Sequence, residues 1–220
     1  MGYFPFFMEL EGKCGVIVGG GNVAARKVEK LLSFGPDLTV IAPDIEACVK
    51  TQGKLLQKGA AASLQFEERA FRLEDLEHAD FVIAATDDTV LNGEIADCCK
   101  ARRIPVNVVD DREKCTFFFP ALIREGPLTI GISTDGKSPF AASWVRGELA
   151  GSLPEEIGSV IDLLGQIRPA VMEREEEESG RKELFGRLFS YCLECMEKGK
   201  GVTLEELYDL AGIRMRKVEE

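Results

Sequence analysis

Histidine, tryptophan and long apolar runs are scarce in this sequence. Its 220 residues include one histidine, His78, and one tryptophan, Trp144. A single histidine excludes a histidine-cluster metal site. His78 lies in the polar stretch Glu74–His78 ahead of a strand and reads as a solvated loop residue. No stretch reaches the roughly 18 continuous apolar residues of a membrane helix, so no membrane partner is expected. The apolar run Tyr3–Met8 has neither a basic leader nor a small-residue cleavage site, and reads as a strand rather than an export signal. Phe6 stands where a myristoylation site would need Ser or Thr. Excess positive charge is also missing. Lys plus Arg is 27 against 38 Asp plus Glu, a net charge of −11, which argues against a nucleic-acid partner. The 7 cysteines are odd in number and irregular in spacing, as expected of free thiols in a reducing cytoplasm. Cys192 and Cys195 have C-x-x-C spacing, but in a helical pattern with no second pair, and read as a structural helix face.

What is present describes a globular chain. The hydrophobic fraction of 45% suffices for a core. Short runs rich in Val and Ile, at Cys14–Val18, Leu38–Ala42, Phe81–Ala85 and Val106–Val109, look like strands buried on both faces. A weaker candidate covers Leu64–Arg69. Helical stretches at Val23–Phe34, ended by Gly35-Pro36, and at Leu91–Arg102 alternate with them. Strand–helix–strand alternation predicts an α/β fold with a parallel sheet. After Asp110 the pattern changes. Thr116–Phe119 and Leu128–Ser133 read as antiparallel strands around the turn Arg124–Pro127. Ser138-Pro139 then opens a helix. Helices are expected over Pro139–Leu149, Pro154–Met172, Arg181–Lys198 and Leu204–Leu210. The acidic block Glu173–Glu178 reads as a solvated helix end or loop.

The sharpest motif is Val18-Gly19-Gly20-Gly21-Asn22-Val23-Ala24, which fits G-x-G-x-x-A at Gly19, Gly21 and Ala24. Gly19 permits the turn out of the strand, Gly21 lets backbone approach a pyrophosphate, and Ala24 lets the helix pack close. The helix N-terminus, at Asn22 and Val23, would offer free N–H groups to the phosphate. The motif leaves a strand and opens a helix, the context that dinucleotide binding requires; a tight structural turn is the alternative. Pro43-Asp44 follows the second strand. Asp44 can accept from the adenosine ribose hydroxyls or cap the next helix. No Lys or Arg occurs from 41 to 49 to meet a 2′-phosphate, which favours NAD over NADP. Thr86 and Asp87, beyond the fourth strand, can line the nicotinamide ribose. Asp110 falls at the carboxyl tip of the fifth strand, near where a nicotinamide would lie.

Charge is uneven. Residues 1–99 carry 9 basic and 16 acidic side chains, residues 100–147 carry 8 and 5, and residues 148–220 carry 10 and 17. A basic middle segment can hold an anionic small molecule or can be ordinary surface charge.

The chain resembles the precorrin-2 dehydrogenase family, the dehydrogenase–chelatase component of siroheme synthesis. The resemblance rests on Phe4-Pro5-Phe6-Phe7, the glycine turn followed by Arg26-Lys27, Ala84–Asp88, Asn107–Asp110, Phe117–Ala121 and Gly136–Pro139, in order, over roughly residues 1–150. It implies an NAD-binding Rossmann domain over 1–113, a β-rich dimerisation region over 114–150, a helical domain over 151–220, and a homodimer. It also implies oxidation of precorrin-2 to sirohydrochlorin with NAD as cofactor, with ferrous iron insertion in some members, and no bound metal cofactor. The residue matching Asp110 is the family's catalytic group for both steps. Precorrin-2 carries eight carboxylates, so cations in the basic middle are candidate contacts: Arg112, Lys114, Lys137 and Arg146, with Ser138 beside them. Thr134 replaces a serine, and Ser143 a basic residue, found in some members. Residues 154–220 match no motif of the family. Competing readings are an NAD-sensing regulatory module, a Rossmann dehydrogenase for a small hydroxy or amino acid, and a metal chelatase without redox activity. No catalytic histidine or lysine near the fifth strand supports the second of these.

Overall fold

The computed structural model describes residues 4–55 and 62–215. It divides into two compact units, one over Phe6–Phe119 and one that joins Phe4-Pro5 to the residues from Pro120 onward.

The first unit is a parallel sheet with helices on its faces. Its strands are β1 (Cys14–Val18), β2 (Asp37–Ala42), β3 (Ser63–Glu68), β4 (Phe81–Ala84) and β5 (Val106–Val108). Their spatial order is β3-β2-β1-β4-β5. Val18 pairs with Ile41 on one side and with Ala84 on the other, and Ala84 pairs with Val108, so four strands end on one edge in register. Strand periodicity divides the core. Ile17, Leu38, Val40 and Ile83 face α1 (Asn22–Leu32), whose Ala24, Ala25, Val28 and Leu31 form the matching stripe. Val16, Val18, Val82 and Val106 face α3 (Thr89–Arg102) through Ile95, Ala96 and Cys99. A short α2 (Ala47–Lys50) follows β2. Gly15 is required between the faces, since a Cβ there would lie 2.3 Å from the Phe81 ring.

The second unit begins with an antiparallel hairpin, β6 (Ala121–Glu125) and β7 (Leu128–Ile132), turning through Gly126-Pro127. Four helices follow: α4 (Pro139–Ser152), α5 (Ile157–Arg174), α6 (Glu178–Glu197) and α7 (Leu204–Ala211). Val160, Ile167, Val171, Leu188, Cys192 and Leu207 form their core. Cys192 and Cys195 are buried on the α6 face, where they serve packing. Burial raises the Cys192 thiol pKa.

Three expectations are corrected. Thr116–Phe119 is not a strand; the partner of β7 is Ala121–Glu125. Thr116 instead caps β5, its N–H donating to the Val106 carbonyl at 2.8 Å and its hydroxyl accepting the Val106 N–H at 2.8 Å. That attachment carries the first unit on to Phe119. The described part of the N-terminal run, from Phe4, is not a strand either: Phe4, Phe6, Phe7 and Met8 are exposed and outside both sheets. Asp44 does not cap a helix, because the N-cap of α2 is Glu46.

Candidate functional site

Because the sheet is parallel, the residues after β1, β2, β4 and β5 share one edge. The chain order reverses between β1 and β4, and such a switch point is the usual place for a ligand in sheets of this kind. The glycine turn lies there. Gly19 has φ +125, and a Cβ there would come within 2.2 Å of the Ala85 carbonyl oxygen. A Cβ on Gly20 would come within 2.1 Å of the Asp44 carbonyl oxygen. Gly21 differs: its Cβ would meet nothing closer than a Glu46 carboxylate oxygen at 3.3 Å. The first two glycines are therefore fixed by the protein's own packing, while the open side of the third fits the close approach of a dinucleotide. Gly21 is the N-cap of α1, without a side-chain cap or an acidic residue in the first turn. Asn22, Val23 and Ala24 thus begin a helix whose positive end has no side-chain partner of its own, an arrangement able to receive an anion. Pro43 and Asp44 are exposed just past β2.

The loop after β4 is held by a residue that the sequence reading missed. Asn92 is only 4% exposed. Its amide donates to the Thr86 carbonyl at 2.9 Å, and its oxygen accepts from the Thr86 hydroxyl at 2.7 Å and the Thr86 N–H at 3.3 Å. The Thr86 hydroxyl is thereby turned toward α3. Asp87 is exposed beside it, and Asp88 caps α3 by accepting from Val90 and Leu91. An asparagine inside a helical stretch, where it is a poor helix former, was the available signal.

Asp110 lies two residues beyond β5, exposed, at φ +61. The left-handed turn is clasped from below. The Cys115 sulfur accepts the Val108 N–H at 3.1 Å and lies 3.2 Å from the carbonyls of Val108 and Asp111. Asn107, also buried, donates to the Phe117 carbonyl at 3.0 Å. Burial raises the Cys115 thiol pKa, so this sulfur acts as a neutral hydrogen-bonding clasp. Across the turn lies Lys27 of α1, half-buried, with Nζ 3.8 Å from the Phe119 ring centroid. Burial lowers its pKa to about 8, with Lys30 and Arg26 pushing the same way and Cys115 and Asp110 opposing.

The basic candidates divide between the units. Arg112 stacks on Phe118 at 5.5 Å, and Lys114 pairs with Asp111 at 3.2 Å. Lys137, Ser138 and Arg146 belong to the second unit. Ser138 caps α4, accepting from the Ala141 N–H at 3.1 Å, and Lys137 and Arg146 are exposed at its start and middle. The Thr134 hydroxyl donates to the Ser138 carbonyl at 2.9 Å and so fixes the turn into α4. Among the described residues no cluster of acidic, cysteine or histidine side chains could hold a metal ion, and no helix is long and apolar enough to cross a membrane.

Together the sheet order and the glycine turn define a nicotinamide-dinucleotide-binding Rossmann protein. Residues 6–121 match the sequence model of an NAD(P)-binding family, and the chain belongs to that family. Residues 125–152 match the model of the central part of sirohaem biosynthesis proteins. Siroheme synthase of Photorhabdus laumondii is 37% identical over 190 residues, covering 86% of this chain and 39% of that protein. Siroheme synthase of Neisseria meningitidis serogroup B is 33% identical over 212 residues, covering 96% of this chain and 42% of that protein. The chain thus spans about two-fifths of the length of these relatives. A solved structure described as SirC, precorrin-2 dehydrogenase, shares the fold with a TM-score of 0.69 over 96% of this chain and 99% of that one, at 23% identity.

Proposed function

We propose that the chain oxidises precorrin-2 to sirohydrochlorin with NAD as the hydride acceptor. The observation that carries this reading is the placement of the Asp110 carboxylate and the open glycine turn on one sheet edge, in a chain similar to siroheme synthases. NAD, when bound, supplies the carbon that takes the hydride. The chain's part is to position and to move a proton. Gly21 and the start of α1 seat the pyrophosphate, and the Asn92-held loop at Thr86 and Asp87 shapes the ribose side. Pro43 and Asp44 meet the adenosine ribose. The exposed Asp44, with Glu46 beside Gly21, disfavours a 2′-phosphate and so favours NAD over NADP. Asp110 accepts the proton that leaves as the hydride departs, so the products are sirohydrochlorin, NADH and one proton. The same carboxylate can accept pyrrole N–H protons when ferrous iron enters sirohydrochlorin, the second activity in this reading. Arg112 and Lys114 of the first unit, and Lys137 and Arg146 of the second, are the carboxylate contacts offered by the basic segment, with Ser138 next to Lys137 in the chain.

A homodimer belongs to the same proposal, supported by the face of α4 that leaves Phe140 82% and Trp144 60% exposed. So does a cytoplasmic location, which fits the free cysteines.

The test is anaerobic turnover of precorrin-2 with NAD⁺, followed by sirohydrochlorin absorbance, for wild type and Asp110→Asn. A positioned base contributes about 10²–10⁴-fold, so the variant is expected to lose that much in kcat with NAD binding intact. An equally active variant removes Asp110 from the mechanism. A wild type that binds NAD but never turns over points to a sensor or a dedicated chelatase. Adding ferrous iron to sirohydrochlorin in the same cuvette tests the second activity, and light scattering reads the dimer.

A further inference from the structure

The charge tally places the cations for an acidic substrate in residues 100–147, yet a cation from outside that segment also acts on the Asp110 turn. Helix α1 carries Arg26, Lys27 and Lys30 in a stretch where acid outnumbers base. Arg26 and Lys30 are exposed, and Lys27 is drawn inward over Phe119. Among the described residues Lys27 forms no ion pair, although Asp110 is near enough to act on it electrostatically. A half-desolvated ammonium with an aromatic face on one side and no carboxylate bound is poised for an incoming anion.

We propose that Lys27 is a substrate-anchoring residue that takes one carboxylate of the tetrapyrrole and holds the macrocycle over Asp110. The assignment rests on the proposed function for the identity of the ligand, but its test reads binding rather than turnover. The groups facing the ammonium are Arg26 and Lys30 from α1, and Asp110 and Cys115 from the segment after β5. Burial and the two α1 cations bring its titration down to about 8. An anion seated on the ammonium draws the titration back up, and the contact weakens once solution pH is high enough to remove the proton.

The experiment titrates sirohydrochlorin into the full-length protein under anaerobic conditions, read by its fluorescence, at pH 7 and pH 9.5. Wild type, Lys27→Met and Lys27→Arg are compared, and each is also titrated with NAD. A hydrogen bond to a charged group is worth enough for a loss of roughly 10- to 100-fold in sirohydrochlorin affinity in the Met variant at pH 7. The Arg variant is expected within a few-fold of wild type, with NAD affinity unchanged throughout. Wild type is expected to weaken several-fold more than the Arg variant between the two pH values, because a guanidinium keeps its charge. Thermal melts of both variants confirm folding. Unchanged affinity in the Met variant overturns the assignment, as does a loss in the Met variant that falls on NAD instead, or a wild type that binds no sirohydrochlorin. If sirohydrochlorin binds in a Lys27-dependent way but precorrin-2 is never oxidised, the anchor stands and the dehydrogenase reading falls.

Discussion

Lys27→Met is expected to make the protein more stable at pH 7 while weakening its site. The lysine pKa is lowered from 10.5 to about 8, burial being the main cause. At pH 7 both the folded and the unfolded chain hold this proton, so the folded state carries the full cost of a poorly solvated ammonium. That cost is about 3 kcal/mol as an upper figure. Residual solvent contact of a half-buried side chain reduces it to roughly 2 kcal/mol. Methionine forfeits the cation–π contact with Phe119, about 0.5–1 kcal/mol, and keeps the apolar contact. The net gain is about 1–2 kcal/mol, or roughly 4–8 °C in Tm for a unit of this size. Between pH 8 and 10.5 the folded wild type loses the proton before the unfolded chain does. The unfolded state then binds more protons, wild-type stability rises relative to the variant, and the gap closes. Differential scanning calorimetry of both proteins without ligand, at pH 7, 9 and 10.5, reads this directly. A variant less stable than wild type at pH 7, or a gap that does not change with pH, would refute the claim that the ammonium is desolvated without compensation.

Four further outcomes follow from the site geometry. Gly21→Ala is expected to fold with a Tm near wild type and to bind NAD at least tenfold more weakly. Gly19→Ala, forced into φ +125 and against the Ala85 carbonyl, loses at least the roughly 1–3 kcal/mol of such backbone strain; melts and NAD titrations separate the two. Asn92→Leu leaves the Thr86 N–H and carbonyl without their partner, so stability should fall by about 1–3 kcal/mol in urea unfolding, with a parallel loss of NAD affinity. Cys115→Ala removes the acceptor of the Val108 N–H; kcat should fall several-fold with the KM for NAD unchanged, whereas Cys115→Ser restores much of the rate.

The sheet was legible because its strands are short Val- and Ile-rich runs buried on both faces, and β1 is found over the residues expected. The glycine turn was legible because backbone conformation and close packing leave few other residues for Gly19 and Gly20. The β6–β7 hairpin was half legible. Its turn falls where Gly126-Pro127 requires, but the aromatic run before it invited a strand five residues early. Side-chain bonds decided that point: the Thr116 hydroxyl on Val106 ties the run to the sheet edge, a tertiary contact that local propensity does not contain. The same limit hid Lys27, Asn92 and Cys115. Each acts through a partner 6 to 92 residues away, Thr86 for Asn92, Val108 for Cys115 and Phe119 for Lys27. A charge count sorted by segment could not see that a helix near the N-terminus faces the turn after β5.

The strain at Asp110 decides how its role should be tested. A left-handed φ is uncommon for a residue with a Cβ, and Asp and Asn adopt it more readily than other such residues. Here the conformation is held by bonds on both sides of the turn, Val108 N–H to the Cys115 sulfur before it and the sulfur to the Asp111 carbonyl after it. Asp110→Ala would remove the carboxylate and also substitute a residue that resists this φ, so a lost rate could come from a moved turn. Asp110→Asn keeps size and backbone preference and removes only the basicity. If Asn abolishes turnover while the turn stays intact, as amide exchange at Asp111 and Cys115 would show, the proton acceptor is identified. If Asn retains turnover and Ala does not, the residue matters for the shape of the turn, and the base must be sought elsewhere on the same sheet edge.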